Sequence, residues 1–147
     1  MGEAFILLPL DDGLVDWLGE FDIVAPSAYS SRHPSPRELL AAAELPGYSA
    51  VPSGPTPLGS WHIQVSSELD PSSSPWAFLT VQPFTDMDTP SSTTFERGWP
   101  EVILPIALAL QPLIGPFVIQ STSGSTPLLI AADTTYASAY EQWRVDE

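Results

Sequence analysis

Apolar runs and polar breaks divide the start of the chain into three predicted elements. Residues 5–8 are apolar and precede a proline and two aspartates, a pattern typical of a buried strand. Asp11 or Asp12 is expected to cap a short helix that carries an apolar face and ends near Gly19. Residues 21–24 are predicted to form a second, half-exposed strand.

The clearest local signal is a capping box. Ser35 is the predicted N-cap, Pro36 takes the first helical position and Glu38 the third. Residues 39–43 follow with strong helix propensity, and Pro46 with the next glycine ends the segment. The sequence therefore predicts a helix that begins at Pro36.

The middle of the chain predicts an antiparallel hairpin. Residues 61–66 alternate between apolar and polar side chains, which is typical of a strand with one face in the core. Residues 76–81 are apolar on both faces and indicate a central strand, joined to the first by a turn at residues 70–75. Two loops are also expected. One spans residues 51–59, which are rich in proline and glycine, and the other spans residues 85–92, which are polar and include two aspartates.

An uncharged segment over residues 102–132 raises the question of a membrane span. Residues 102–120 approach the length that crosses a bilayer, but prolines and Gly115 interrupt them and no basic residue follows. We expect instead a buried helix followed by a buried strand. Pro100 suits the first turn of this helix, and Pro105 is expected either to kink the helix or to move its start to a later residue.

The remaining elements complete the predicted architecture. Residues 117–119 and 128–130 are predicted to form a hairpin joined by residues 121–126, and Asp133 is expected to cap a last helix. The fold class is therefore α+β, with one antiparallel or mixed sheet of five to six strands packed by two to three helices. We expect residues 1–147 to form a single acidic domain.

Charge excludes several classes of function. The 147 residues include 18 Asp and Glu, 4 Arg and no Lys, which gives a formal net charge of −14. Neither nucleic acid nor an anionic membrane is an expected partner, because both require clustered basic residues. The absence of Lys and Cys excludes lysine nucleophiles, thiolate catalysis and disulfides. Residues 5–10 lack the basic start of a signal peptide, so we expect a cytoplasmic protein.

No motif predicts catalysis, a cofactor or a metal site. His33 is expected to be an exposed loop residue and His62 a surface strand residue, with a general-base role for His62 as the alternative. Neither histidine has metal-ligand spacing, and Asp86 and Asp88 lack the further ligands of a calcium loop. Paired catalytic carboxylates that are distant in sequence remain open.

The acidic residues near the start of the chain are the better functional candidate. Residues 1–31 contain six acids and no arginine, and therefore carry a charge of −6. Three of these acids are spaced i, i+4, i+8 and would share a helix face, although like charges at that spacing repel. Such a patch favours docking of a basic protein. The candidate partner-binding residues are Asp11, Asp12, Asp16, Glu20, Asp22, Asp86 and Asp88.

A resemblance points in the same direction. The segment FERGWPEVIL at residues 95–104, followed by GPFVI at residues 115–119, resembles small bacterial domains that are similar to immunity proteins of polymorphic toxin systems. The resemblance covers about the last third of the chain and implies a small, non-enzymatic protein that binds and blocks a cognate toxin. The alternatives are an acidic housekeeping domain from a salt-adapted organism and, less favoured, a small enzyme that uses carboxylates or His62.

Overall fold

The computed structural model describes residues 4–70, 74–123 and 126–145. This part of the chain forms four helices and one seven-stranded sheet in which every pairing is antiparallel. The predicted α+β class with a single sheet is confirmed, with more strands and helices than expected. The elements are β1 (Phe5–Pro9), α1 (Asp12–Gly19), α2 (Pro36–Ala42), β2 (Tyr48–Ser53), β3 (Trp61–Ser67), β4 (Ala77–Val81), β5 (Thr93–Gly98), α3 (Pro100–Ile114), β6 (Phe117–Ser121), β7 (Leu128–Ile130) and α4 (Tyr136–Val145).

The strand order is β2-β3-β4-β5-β1-β6-β7. Strands β2 to β5 form a meander in sequence order, and the N-terminal strand then lies between β5 and β6. Both predicted hairpins are confirmed, since β3 pairs with β4 and β6 pairs with β7. Two predicted connections, the turn at residues 70–75 and the loop at residues 121–126, lie partly outside the described residues. Glu3, one of the six acids in residues 1–31, also lies outside them.

The main core lies between one face of the sheet and helices α2, α3 and α4. Its strand residues alternate with outward-facing neighbours, as in β3, where Ile63 and Val65 are buried and Gln64 is exposed. Phe95 and Phe117 are fully buried in this layer, and each such side chain stabilises the fold by about 1.5–3 kcal/mol relative to an exposed position.

A second, smaller core places α1 on the opposite face of the sheet. Leu10, Leu18 and Val118 are buried there, and Leu8 and Leu129 pack against them. Because β1, β6 and β7 are covered on both faces, residues 5–9, 117–119 and 128–130 are apolar without alternation. Helix α1 and its carboxylates therefore lie on one side of the sheet, and helices α2, α3 and α4 lie on the other.

Helix α3 begins at Pro100 and continues through Pro105, so the alternative of a later start at Pro105 was wrong. Proline removes one hydrogen-bond donor and costs about 3 kcal/mol in a helix interior. The helix nevertheless runs over 15 residues from Pro100, because burial of most of its surface offsets that loss. The buried residues are Val102, Ile103, Leu104, Ile106, Ala107, Leu110 and Ile114. Within the described ranges, no helix has the length and apolar character needed to span a membrane.

Three further local predictions were wrong. Residues 21–24 form no strand, since the amide of Phe21 donates to the carbonyl of Leu18 and closes the end of α1. Residues 51–53 belong to β2 and pair with β3, because neighbouring backbone groups outweigh the low strand propensity of proline and serine there. The last helix is capped by Thr135, whose hydroxyl accepts from the Ser138 amide at 3.1 Å, and not by Asp133.

Candidate functional site: the acidic helix and the cavity beside it

Helix α1 is built so that its acids face solvent. Asp11 is the N-cap, and its Oδ1 accepts from the Leu14 amide at 2.7 Å. Leu18 is fully buried against the sheet, which fixes the rotation of the helix. Asp12 and Asp16 are therefore exposed on the outer side.

Two further acids extend this surface past the end of α1. Glu20 is the C-cap and retains helical backbone angles, so the predicted i, i+4, i+8 spacing of Asp12, Asp16 and Glu20 is preserved. Asp22 is exposed and has a positive φ of 59°, which a short aspartate tolerates. We call Asp11, Asp12, Asp16, Glu20 and Asp22 the acidic face.

No arginine neutralises the acidic face within the described residues. The ion pairs found there join Arg32 to Glu38 and Arg37 to Asp88, each at 2.7 Å. Both pairs hold the start of α2 and lie outside α1. The acidic face therefore presents uncompensated negative charge to solvent.

The hydroxyl of Tyr29 interacts with the carboxylates of the acidic face. It donates a hydrogen bond to Oδ1 of Asp12. That bond above all, then desolvation of the hydroxyl and the negative charges of Asp12, Asp11 and Asp16, raise the pKa of Tyr29 from 10.0 to about 12. The shift indicates that the carboxylates of α1 act on the same region of the surface.

Asp86 and Asp88, the other two candidate residues, have local structural contacts. Asp86 Oδ1 accepts from the amides of Asp88 and Thr89, and these bonds lower the pKa of Asp86. Asp88 pairs with Arg37 at the start of α2. Both residues lie in the loop before β5, outside the acidic face.

A cavity of about 430 Å³ lies beside the acidic face. Leu8 and Pro9 of β1, with Leu14 and Trp17 of α1, form its apolar lining. Asp11 and Gly13 at the start of α1 complete that side, and His33 also lines the cavity. The cavity thus combines apolar and aromatic walls with a carboxylate.

His33 is half-buried, so the expectation of an exposed loop residue was wrong. Its Nδ1 is shielded from solvent and has no hydrogen-bond partner in the structure. Burial lowers the pKa of the imidazole below 6.5. Burial therefore favours the neutral form of this histidine.

The turn after α3 fixes the segment that carries His33. The Arg32 amide donates to the carbonyl of Ile114 at 3.0 Å, and the Ser31 hydroxyl donates to the carbonyl of Pro116 at 2.6 Å. Gly115 has φ of 87°, and a Cβ there would lie 2.0 Å from the Ser30 carbonyl oxygen. Only glycine permits this close approach, which holds His33 in place.

Exposed apolar side chains lie at the end of α1, next to the acids. Trp17 and Phe21 pack edge to face with ring centroids 5.1 Å apart. Phe21 retains 38% of its surface and Val24 retains 88%. Aromatic side chains surrounded by polar groups are typical of protein–protein contacts.

His62 has contacts of a different kind. Its Nδ1 lies 3.1 Å from the Thr80 hydroxyl, and its ring stacks on Phe78 with centroids 5.1 Å apart. Over the described residues, no group of three or more histidine or carboxylate side chains is placed to hold a metal ion. The contacts of His62 are those of a strand residue packed on its cross-strand neighbours.

The structure thus defines a single-sheet α+β protein with an acidic helix and an adjoining cavity on the face opposite its main core. Comparison with protein-family models, with curated proteins and with solved structures finds no match to this chain. The function is therefore argued from the site itself.

Proposed function

We propose that this protein binds a basic protein through the acidic face and inhibits it, in the manner of a bacterial toxin-immunity protein. The observation that carries the proposal is the set of carboxylates on α1 that no described arginine neutralises. A basic partner would be attracted to this surface over about one Debye length, roughly 8 Å at physiological salt.

The surface has features that a purely solubilising acidic coat does not need. Trp17 and Phe21 form an aromatic pair at the end of the acidic helix, and Val24 is exposed beside them. Charges steer the encounter and select the partner, whereas buried aromatic contacts supply most of the affinity. If the partner is a nuclease, its basic nucleic-acid cleft is the complementary surface.

The proposal is tested with the product of the neighbouring gene. Wild-type protein is co-expressed with that product, and growth is compared with growth when a triple variant, Asp12→Asn with Asp16→Asn and Glu20→Gln, replaces it. We expect the wild type to restore growth and the variant to fail, because three charges leave the docking surface. With purified proteins, the association rate should fall steeply as salt is added.

A control variant makes the same change in net charge at another place. Glu44, Glu68 and Asp133 are exposed and lie outside α1. Replacing all three with their amides removes three charges but should leave growth and association unchanged. A neighbouring product that is harmless and does not bind, or equal losses in the two triple variants, would count against the proposal.

A further inference from the structure

The cavity beside α1 has the walls that a long cationic side chain needs. Leu8, Pro9 and Leu14 provide apolar surface against which an aliphatic stem can pack. Trp17 provides an aromatic ring, which attracts a cation placed over its face. The volume of about 430 Å³ is at the lower end of the range for small-molecule pockets, so one long side chain can enter the cavity together with water.

The charges around the cavity favour a cation over a neutral group. Asp11 lines the cavity, and Asp12 and Asp16 follow it on the same helix without an ion pair to any described arginine. The other titratable group of the lining is His33, whose neutral form is favoured by burial. The Tyr29 hydroxyl already donates a hydrogen bond to Asp12 on the same helix, so this helix offers carboxylate acceptors to donors near the cavity.

We propose that this cavity receives an arginine side chain from the basic partner. The inference rests on the proposed function, because it identifies which group of the partner enters the site. Arginine fits better than lysine because its planar guanidinium stacks on aromatic rings and offers several donors to a carboxylate such as Asp11. The aliphatic stem would contact Leu8 and Leu14.

The test is a titration of the whole protein with N-acetyl-arginine methylamide, followed by NMR at the amides of Gly13 and Leu14. The citrulline analogue has the same shape without the charge, and the lysine analogue has the charge without the planar group. We expect the arginine probe to bind at least about tenfold more tightly than the citrulline probe and more tightly than the lysine probe.

Two variants locate the probe. Gly13→Leu adds a bulky side chain at a residue that lines the cavity. The variant is expected to fold because an added Cβ meets only Asp11 Oδ1 at 3.5 Å and leucine favours helix. It should weaken binding about tenfold or more. The matched Gly19→Leu adds the same side chain at the other end of α1, where no atom lies within 4 Å of the new Cβ, and should bind as wild type. Asp11→Asn keeps the cap and removes the charge, and should weaken binding several-fold.

The outcomes separate this inference from the proposed function. Equal binding of the arginine and citrulline probes, or unchanged binding by Gly13→Leu, overturns the cavity assignment, and an equally tight lysine probe overturns the choice of arginine. If Gly13→Leu still binds and inhibits the partner while the acidic-face triple variant does not, the docking proposal stands and the cavity inference fails. If the probe binds but no basic partner does, the cavity is a guanidinium site, but the proposed function fails and with it the assignment of the partner's arginine as the occupant.

Discussion

The ion pair between Arg32 and Glu38 should make the stability of this protein depend on pH in a defined window. Arg32 donates to both oxygens of Glu38 at 2.7 Å, and Glu38 Oε1 also accepts from the Ser35 amide at 3.0 Å. These bonds, the one from Arg32 above all, lower the pKa of Glu38 from 4.5 to about 2. The perturbation we consider is Glu38→Gln, which keeps an oxygen for the Ser35 amide and removes the charge.

The magnitude follows from the pKa and the exposure of the pair. A shift from 4.5 to about 2 corresponds to roughly 3 kcal/mol in the free energy of unfolding. The Arg32 side chain retains 46% of its surface and Glu38 retains 24%, so solvent screening reduces the expected loss to about 1–2 kcal/mol. Because the folded-state pKa is depressed, this stability is present above pH 4.5 and is lost as the pH falls through about 2.

Urea unfolding of wild type and Glu38→Gln at pH 7 and at pH 2 measures the effect. We expect the variant to be less stable by about 1–2 kcal/mol at pH 7 and the difference to shrink at pH 2. Glu44→Gln is the control, because Glu44 is exposed just past the same helix and should change stability by less than about 0.5 kcal/mol. The same difference at both pH values, or none at pH 7, would refute the charge-based argument.

Three other predictions concern α1, the turn after α3 and salt. Asp12→Asn should lower the pKa of Tyr29 from about 12 towards 10.0 in an ultraviolet tyrosinate titration. In the wild type, the stability that the Tyr29–Asp12 hydrogen bond contributes is present below pH 10 and is lost as the pH rises through about 12. Gly115→Ala should destabilise by about 3 kcal/mol or more in urea unfolding because its Cβ meets the Ser30 carbonyl, whereas Gly47→Ala, with a similar φ of 79° and open space, should cost about 1–2 kcal/mol. Thermal unfolding in low-salt buffer should show a cooperative transition, and a requirement for molar salt would favour the salt-adapted alternative.

Local sequence signals predicted the elements whose ends are fixed by their own side chains. Ser35 and Glu38 form the predicted capping box, with both reciprocal hydrogen bonds present. Asp11 caps α1 as one of the two aspartates expected to do so. These contacts lie within four residues of sequence, so residue type and spacing are sufficient to predict them.

Predictions failed where distant contacts decide the structure. Pro105 allowed a later start of the helix by local rules, but α3 begins at Pro100 because its burial against the sheet and two other helices outweighs the lost hydrogen bond. His33 gave no local sign of burial, because the backbone of Ile114 and Pro116, more than 80 residues later, holds its segment beside α1. The cavity is therefore a consequence of tertiary packing, and the sequence alone predicted only its acidic neighbours.

The position of the acids argues for binding rather than for solubility alone. Asp12, Asp16 and Glu20 repel one another at i, i+4 spacing, which costs a few tenths of a kcal/mol per pair. Asp11 as the cap and the buried Leu18 hold α1 in place despite this repulsion. Thirteen of the 18 acids are distributed over the rest of the chain, whereas five lie on or directly beside one helix, next to an aromatic pair and a cavity. A repulsion concentrated on one helix is understandable if a basic partner relieves it on docking, and in that case neutralising Asp16 and Glu20 should stabilise the free protein while weakening the complex.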